Sequence, residues 1–203
     1  MWALVESNSI SKIYTRPTAL QLGDIQYPQN IFSLWTEAEL KAIGIYEITV
    51  DNTNLKDKEY YTNTDVTYTY NSGADTVTGA YGTATAFSLT DVLFTADDES
   101  NGLGTEGEVN VRGLKSKHKE TINRQAYSLL QDSDWLVVRA AEGGTAVPSA
   151  WTTYRAAVRT KANDMETLID NAADVDALAA LYVYNTDDPP VRPLGEWPTK
   201  PTS

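Results

Sequence analysis

Leu129-Leu130-Gln131-Asp132-Ser133-Asp134-Trp135-Leu136-Val137-Val138-Arg139, followed by Val147-Pro148 and then Trp151-Thr152-Thr153-Tyr154-Arg155-Ala156-Ala157-Val158-Arg159, decides the reading of this chain. The order is helix end, polar turn, short apolar segment, Gly-rich loop, proline, new helix. Upstream, Leu114, His118, Ile122, Ala126 and Leu129 recur at helical spacing and form one stripe. The turn Asp132-Ser133-Asp134 ends that stripe. Downstream, Pro148-Ser149 opens a second helix. Its seam runs through Trp151, Tyr154, Val158, Met165, Leu168 and Ala172 at near-heptad spacing, interrupted by Lys161. Asp174 caps a last turn through Leu181. Two antiparallel helices packed along these stripes are the simplest solution, with a coiled coil between subunits as the alternative.

Working outward toward the N-terminus, the period changes from 3.6 to 2. Trp2, Leu4, Ile10, Ile13 and Tyr14 surround Ser7-Asn8-Ser9, which predicts a β-hairpin. Arg16-Pro17 ends it, because proline has no N–H for a ladder. Leu20, Leu22, Ile25 and Tyr27 flank a second turn at Gly23-Asp24. Thr36-Glu37-Ala38-Glu39 is a capping box, with Trp35 and Leu40 at the staple positions. The short helix it starts stops at Gly44. Ile45–Val50 alternates as a strand. Val66–Tyr70 and Thr76–Tyr81 flank Asn71-Ser72-Gly73 as antiparallel strands rich in Tyr and Thr. Thr85–Leu89 and Val92–Phe94 add a short strand or extended arm.

The expected organisation is α+β. An N-terminal antiparallel β module with a short helix covers 1–60, and a β-hairpin extension covers 61–95. A polar linker follows at 96–107, a helical hairpin at 108–185 and a Pro-rich tail at 186–203. Trp197 is the expected anchor of that tail, since an isolated Trp buries much area.

Bulk properties exclude several classes. The 203 residues suffice for a real core. Apolar content of 41 % and charged content of 22 % argue against wholesale disorder. The net charge of -12 argues against nucleic acid, which asks for a basic face. The charge is uneven: residues 1–105 carry -9, residues 106–161 carry +3, and residues 162–203 carry -6. The basic middle suits an acidic partner or simply a solvated helix face. There is no cysteine, hence no disulfide or thiolate metal site, and a reducing compartment is compatible. No apolar run approaches the roughly 20 residues of a membrane span. Met1–Glu6 lacks the basic-then-apolar pattern of a signal peptide.

Chemistry finds little purchase. His118, the one histidine, sits on a helix stripe between Leu114 and Ile122, where a packing role is expected rather than a catalytic or zinc-binding one. Asp97-Asp98-Glu99 lacks the alternating acid spacing of a calcium loop. Gly102-Leu103-Gly104 and Gly143-Gly144 lack the context of phosphate loops. Nothing selects a carboxylate pair for glycoside cleavage. No catalytic residue, metal or cofactor is therefore expected. The expected contacts are with a partner: Trp151, Tyr154, Arg155, Arg159 and Trp197. Arg155 and Arg159 lie one turn apart and share a helix face, suited to gripping carboxylates. Pairing to local acids such as Asp132 or Asp134 is the alternative. Trp2, Trp35 and Trp135 sit in apolar patterns that read as core.

The Leu-Leu, Ser-Asp-Trp, Val-Pro, Trp, Tyr-Arg, Arg run of 129–159 resembles the C-terminal region of bacteriophage tail-fibre assembly proteins and related tail-associated virion proteins. Trp2–Asn8, Gly23-Asp24, Tyr27-Pro28, Phe32–Trp35 and Ile43–Tyr46 are similar to the start of small tail-fibre-associated proteins of marine phages. The two regions cover roughly 1–60 and 110–160, about half the chain, and neither contains a catalytic signature. Residues 61–105 lie outside the resemblance, and the acidic stretch beyond 165 departs from the usual early stop after the Tyr-Arg helix. The resemblance implies a non-enzymatic tail structural or assembly protein. It would be present in several copies, bind tail-fibre or neighbouring tail proteins, and reside in the virion tail and, during assembly, the host cytoplasm. A fibre chaperone that is released, or a carbohydrate-binding module at the fibre tip that recognises the host, are the alternatives.

Overall fold

The computed structural model describes residues 1–202, which divide into two compact units, Met1–Thr85 and Ala86–Ser203. The chain is α+β, as the change of period predicts.

The first unit starts with β1 (Trp2–Glu6) and β2 (Ser9–Tyr14). Glu6 pairs with Ser9, so the loop is the two residues Ser7 and Asn8. Both have positive φ (50° and 67°), the combination whose twist matches a right-handed ribbon. The hairpin β3 (Leu20–Leu22) and β4 (Ile25–Tyr27) turns at Gly23-Asp24. α1 (Ile31–Leu34) and α2 (Glu37–Ala42) follow. The capping box at Thr36 forms: the Glu39 amide donates to Thr36 Oγ1, and the Thr36 amide donates to Glu39 at 2.7 Å. Gly44 ends the turn at φ 81°, and its carbonyl accepts from the Val5 amide at 2.8 Å. A Cβ there would sit 2.8 Å from the Val5 oxygen, so only glycine allows this approach.

β5 (Ile45–Asp51), β6 (Tyr61–Thr62), β7 (Val66–Asn71), β8 (Thr76–Tyr81) and β9 (Thr85–Ala86) complete the strands to the unit boundary. The main sheet has the order β2-β1-β5-β8-β7. Here the structure departs from the expected separate antiparallel module and hairpin extension. β8 runs parallel to β5, with Ile48 beside Val77, and fuses the 66–81 hairpin to the N-terminal strands in one mixed sheet. Residues 52–75 are long enough for the crossover that a parallel pair requires. The outer strands β2 and β7 come within 8 Å of each other, so the sheet curls back on itself.

Alternation along β1, β2 and β5 loads both faces. Leu4, Tyr14 and Ile45 pack with Leu20, Ile31, Phe32 and Leu40 on one side. Ala3, Tyr46, Ile48 and Val77 pack on the other, inside the curl. Trp2 and Trp35 are half-buried against the first cluster, in line with their apolar context. Asp75, at φ 53° beside β8, accepts hydrogen bonds from Tyr46 Oη (2.9 Å) and Tyr70 Oη (3.1 Å), and its carbonyl accepts from Lys41. The Tyr46 hydroxyl bond above all holds the Asp75 carboxyl below the usual aspartate range.

The second unit contains β10 (Val92–Leu93), α3 (Ala96–Ser100), β11 (Val109–Val111), α4 (Leu114–Gln131), α5 (Asp134–Ala141), α6 (Ser149–Asn171) and α7 (Val175–Ala180). The stretch 96–107 is not a bare linker. Thr95 and Asp98 form a second capping box that starts α3. The segment after Asp134, read as merely apolar, is helical.

α4 and α6 lie antiparallel. Lys115 and Lys119 at the start of α4 reach Asp170 at the end of α6, while Arg155 reaches back to Leu130. The α4 stripe buries Leu114, His118, Ile122 and Ala126, and Leu129 is half-buried. On α6 the buried seam is Tyr154, Arg155, Val158, Ala162, Met165 and Ile169. Ile169 rather than Leu168 takes the core place, and Lys161 lies beside the seam instead of breaking it. His118 is packed as expected, with Nδ1 2.8 Å from the Tyr182 hydroxyl. Asp174 caps α7 by accepting from the Ala177 amide. Among the described residues no helix is long and apolar enough to cross a membrane.

Met165→Ala, at a fully buried seam position, should lower the unfolding free energy by about 2–5 kcal/mol in urea titration followed by circular dichroism. The depressed Asp75 pKa stabilises the first unit above the ordinary aspartate range, and that contribution is lost as pH falls through the lowered folded value. Asp75→Asn should therefore flatten the acid limb of the Tm-against-pH curve below about pH 4 and leave a lower plateau at neutral pH.

Candidate partner-binding surface

The α4–α5 turn is built around one buried cation. Arg155 is 8 % exposed, and its guanidinium points back across the helix pair. Nη1 donates to the Leu130 carbonyl (2.9 Å) and to Ser133 Oγ (2.6 Å), and Nη2 sits 2.8 Å from Asp134 Oδ1. Ser133 is wholly buried and donates in turn to the Leu130 carbonyl. A helix leaves its last carbonyls without intrahelical partners. Here a single arginine and a serine satisfy that end of α4, while Asp134 sits in the first turn of α5, where negative charge is favoured. Arg155 thus pairs locally and does not project outward. Arg159, one turn on, is exposed, with Nη1 3.5 Å from the Arg155 carbonyl.

The three aromatic candidates meet the rest of their own unit. Trp151 is half-buried and stands edge-on to Tyr154 with ring centres 5.8 Å apart, and the Lys200 ammonium lies 5.6 Å from its ring. Tyr154 is buried, and its hydroxyl has no hydrogen-bond partner among the described residues. Trp197 donates from Nε1 to Gln125 at 3.0 Å, the anchoring role expected of it. Lys200 pairs with Asp132 at 2.6 Å, Leu194 is buried, and its amide donates to the Leu181 carbonyl. The Pro-rich tail is therefore strapped to its own helices. Between Pro198–Pro201 and the first turns of α6 runs an open groove of about 520 Å³, lined in part by Thr153, Tyr154 and Ala157.

The apolar surface left facing water lies elsewhere, at residues the sequence reading assigned to the core or to no role. On α5 only Leu136 is buried; Trp135 is 58 % exposed, and Val137 and Val138 are exposed beside it. Arg139 lies over the Trp135 ring at 4.8 Å. The expectation that Trp135 is core is overturned, because α5 has one neighbour-facing side and the run Trp135-Leu136-Val137-Val138 wraps more than half the helix. The second place is the β10–β11 ribbon, where Val92 pairs with Val111 and Leu93 with Val109 around a bulge. These four are between 45 and 54 % exposed. An apolar run too wide for a two-turn helix to hide was the one sequence signal for the first patch. The second had none, since isolated short β segments read alike whether buried or not.

No family model matches this chain, and no curated protein or solved structure does so.

Replacing Arg155 by Ala should cost about 2–3 kcal/mol, the scale for hydrogen bonds to a charged group whose partners become unsatisfied. Asp134→Asn, at a half-exposed partner, should cost under about 1 kcal/mol. Equal losses in chemical denaturation would mean that Asp134, and not the Leu130 and Ser133 bonds, holds the turn.

Proposed function

We propose that this chain is a non-enzymatic structural or assembly protein of a bacteriophage tail, which binds tail-fibre or neighbouring tail proteins through its second unit. The carrying observation is that this unit has a complete internal seam and still displays two sets of large apolar side chains to water, on α5 and on β10–β11. Contiguous exposed apolar surface of this kind marks contact sites. The Arg155 lock supports the same reading, because it holds α5 in one orientation and spares a partner the entropy of ordering it. The likeness of 129–159 and of the N-terminal motifs to tail-associated proteins supplies the context. Arg159 and the α5 aromatic–aliphatic set are the contacts favoured by exposure; Trp151, Tyr154 and Trp197 act by shaping the strapped groove.

Quantitative mass spectrometry of purified, salt-washed particles of the phage that encodes the chain tests this. A constant copy number per particle, expected as a multiple of three or six, supports a resident tail protein. Absence from particles together with a complex with fibre protein in infected-cell lysate would replace that reading by a released chaperone. Absence from both, with binding on a glycan array, would replace it by the carbohydrate-binding alternative.

A further inference from the structure

The arm formed by residues 91–111 has a composition unlike the helix that follows it. It carries Asp91, Asp97, Asp98, Glu99, Glu106 and Glu108 and no basic residue. Residues 112–124 carry Arg112, Lys115, Lys117, Lys119 and Arg124 against the single acid Glu120. Much of this charge is already used. Asp91 accepts from the Gly113 amide, Asp98 serves the capping box, Arg112 pairs with Glu120, and Lys115 and Lys119 reach Asp170. What remains is ordered. Asp97, Glu106 and Glu108 have no cationic partner among the described residues. Lys117 and Arg124, seven residues apart on the outward side of α4, have no anionic one. Tyr127, 63 % exposed, continues the same side.

The root of the arm is fixed. The Leu114 and Lys115 amides donate to the carbonyls of Ser88 and Leu89, and Gly113 packs so closely on Thr90 that a Cβ would lie 2.4 Å from its backbone. The free part is the two-stranded β10–β11 ribbon. A lone ribbon of this size is marginal in water, and this one shows four half-exposed aliphatic side chains. It needs a cover, and the surface in the molecule that complements its acids is the outward side of α4.

We infer that the arm of one copy docks on the outward side of α4 of a second copy. On one face of the ribbon the Val92–Val111 pair lies against Tyr127, and Glu106 and Glu108 face Lys117 and Arg124. The contact joins two different surfaces, so it either repeats head to tail into a ring or a stack or closes reciprocally as a two-fold dimer in which each arm lies on the other copy's α4. This rests on the reading of the chain as a multi-copy assembly protein, which it deepens by naming the self-contact.

Sedimentation of the full chain tests it, at low and high salt. The expected result is concentration-dependent association at low salt, to a dimer or beyond, weakened as salt rises. Lys117→Glu with Arg124→Glu should weaken it at least about tenfold. Glu106→Lys with Glu108→Lys should do the same, and combining all four in one chain should restore it. Val109→Thr with Val111→Thr, which keeps β-branched shape in the ribbon, should also weaken association about tenfold while the circular dichroism spectrum is retained. A chain that stays monomeric throughout, association indifferent to the charge reversals, or failure of the four-fold variant to recover overturns the inference. A monomer in solution that is still found in virions refutes the self-contact and leaves the tail assignment. Association with the expected charge logic, but absence from virions, does the reverse.

Discussion

The Arg155 guanidinium governs the second unit. Its three acceptors belong to the end of α4, the turn, and the start of α5, so one side chain from α6 fixes the relative placement of three helices. Taking a guanidinium out of water is costly, and the cost is met only because each donor direction used finds an oxygen at short range. The packing of Val158, Ala162, Met165 and Ile169 against the α4 stripe supplies most of the free energy. Apolar packing alone tolerates sliding and rotation; the arginine selects one register.

That selection has a functional side. α5 is short, mostly unburied, and carries Trp135, Val137 and Val138 outward. A helix of this length would fray on its own. Tied at its first turn, it becomes a rigid apolar feature of the surface. The strapped tail works in the same direction. Trp197, Lys200 and Leu194 fasten a segment that would otherwise sample extended conformations, and in doing so they shape a groove beside Tyr154. The proposed assembly role draws on both: surfaces made ready before a partner arrives.

The sequence carried the local elements well. The Ser7-Asn8 turn, the Thr36 and Gly44 signals, the 66–81 hairpin, the α4 stripe and the Asp174 cap were all readable, because each depends on neighbours close by in the chain. Pairing between distant strands was not. Nothing in Ile45–Val50 or Thr76–Tyr81 says that they run parallel, since alternation is the same in either sense. Likewise Arg155 offered two readings, inward to Asp134 or outward to a partner, and the choice rests on where Leu130 and Ser133 stand in space. Trp135 misled for a related reason: an apolar residue in an apolar run reads as core until the helix is seen to have only one covered side.

The curl of the main sheet has a consequence for how the chain survives at high local concentration. An open sheet offers two rows of unsatisfied amides and carbonyls, and such rows recruit other strands into fibrous aggregates. By bringing β2 and β7 within 8 Å of one another, the first unit turns each row toward the other and leaves little template for a foreign strand. The short β10–β11 ribbon has no such shelter. There acidic neighbours surround the aliphatic pairs and repel a like-charged ribbon. The main sheet is shielded by its geometry, the ribbon by its charge.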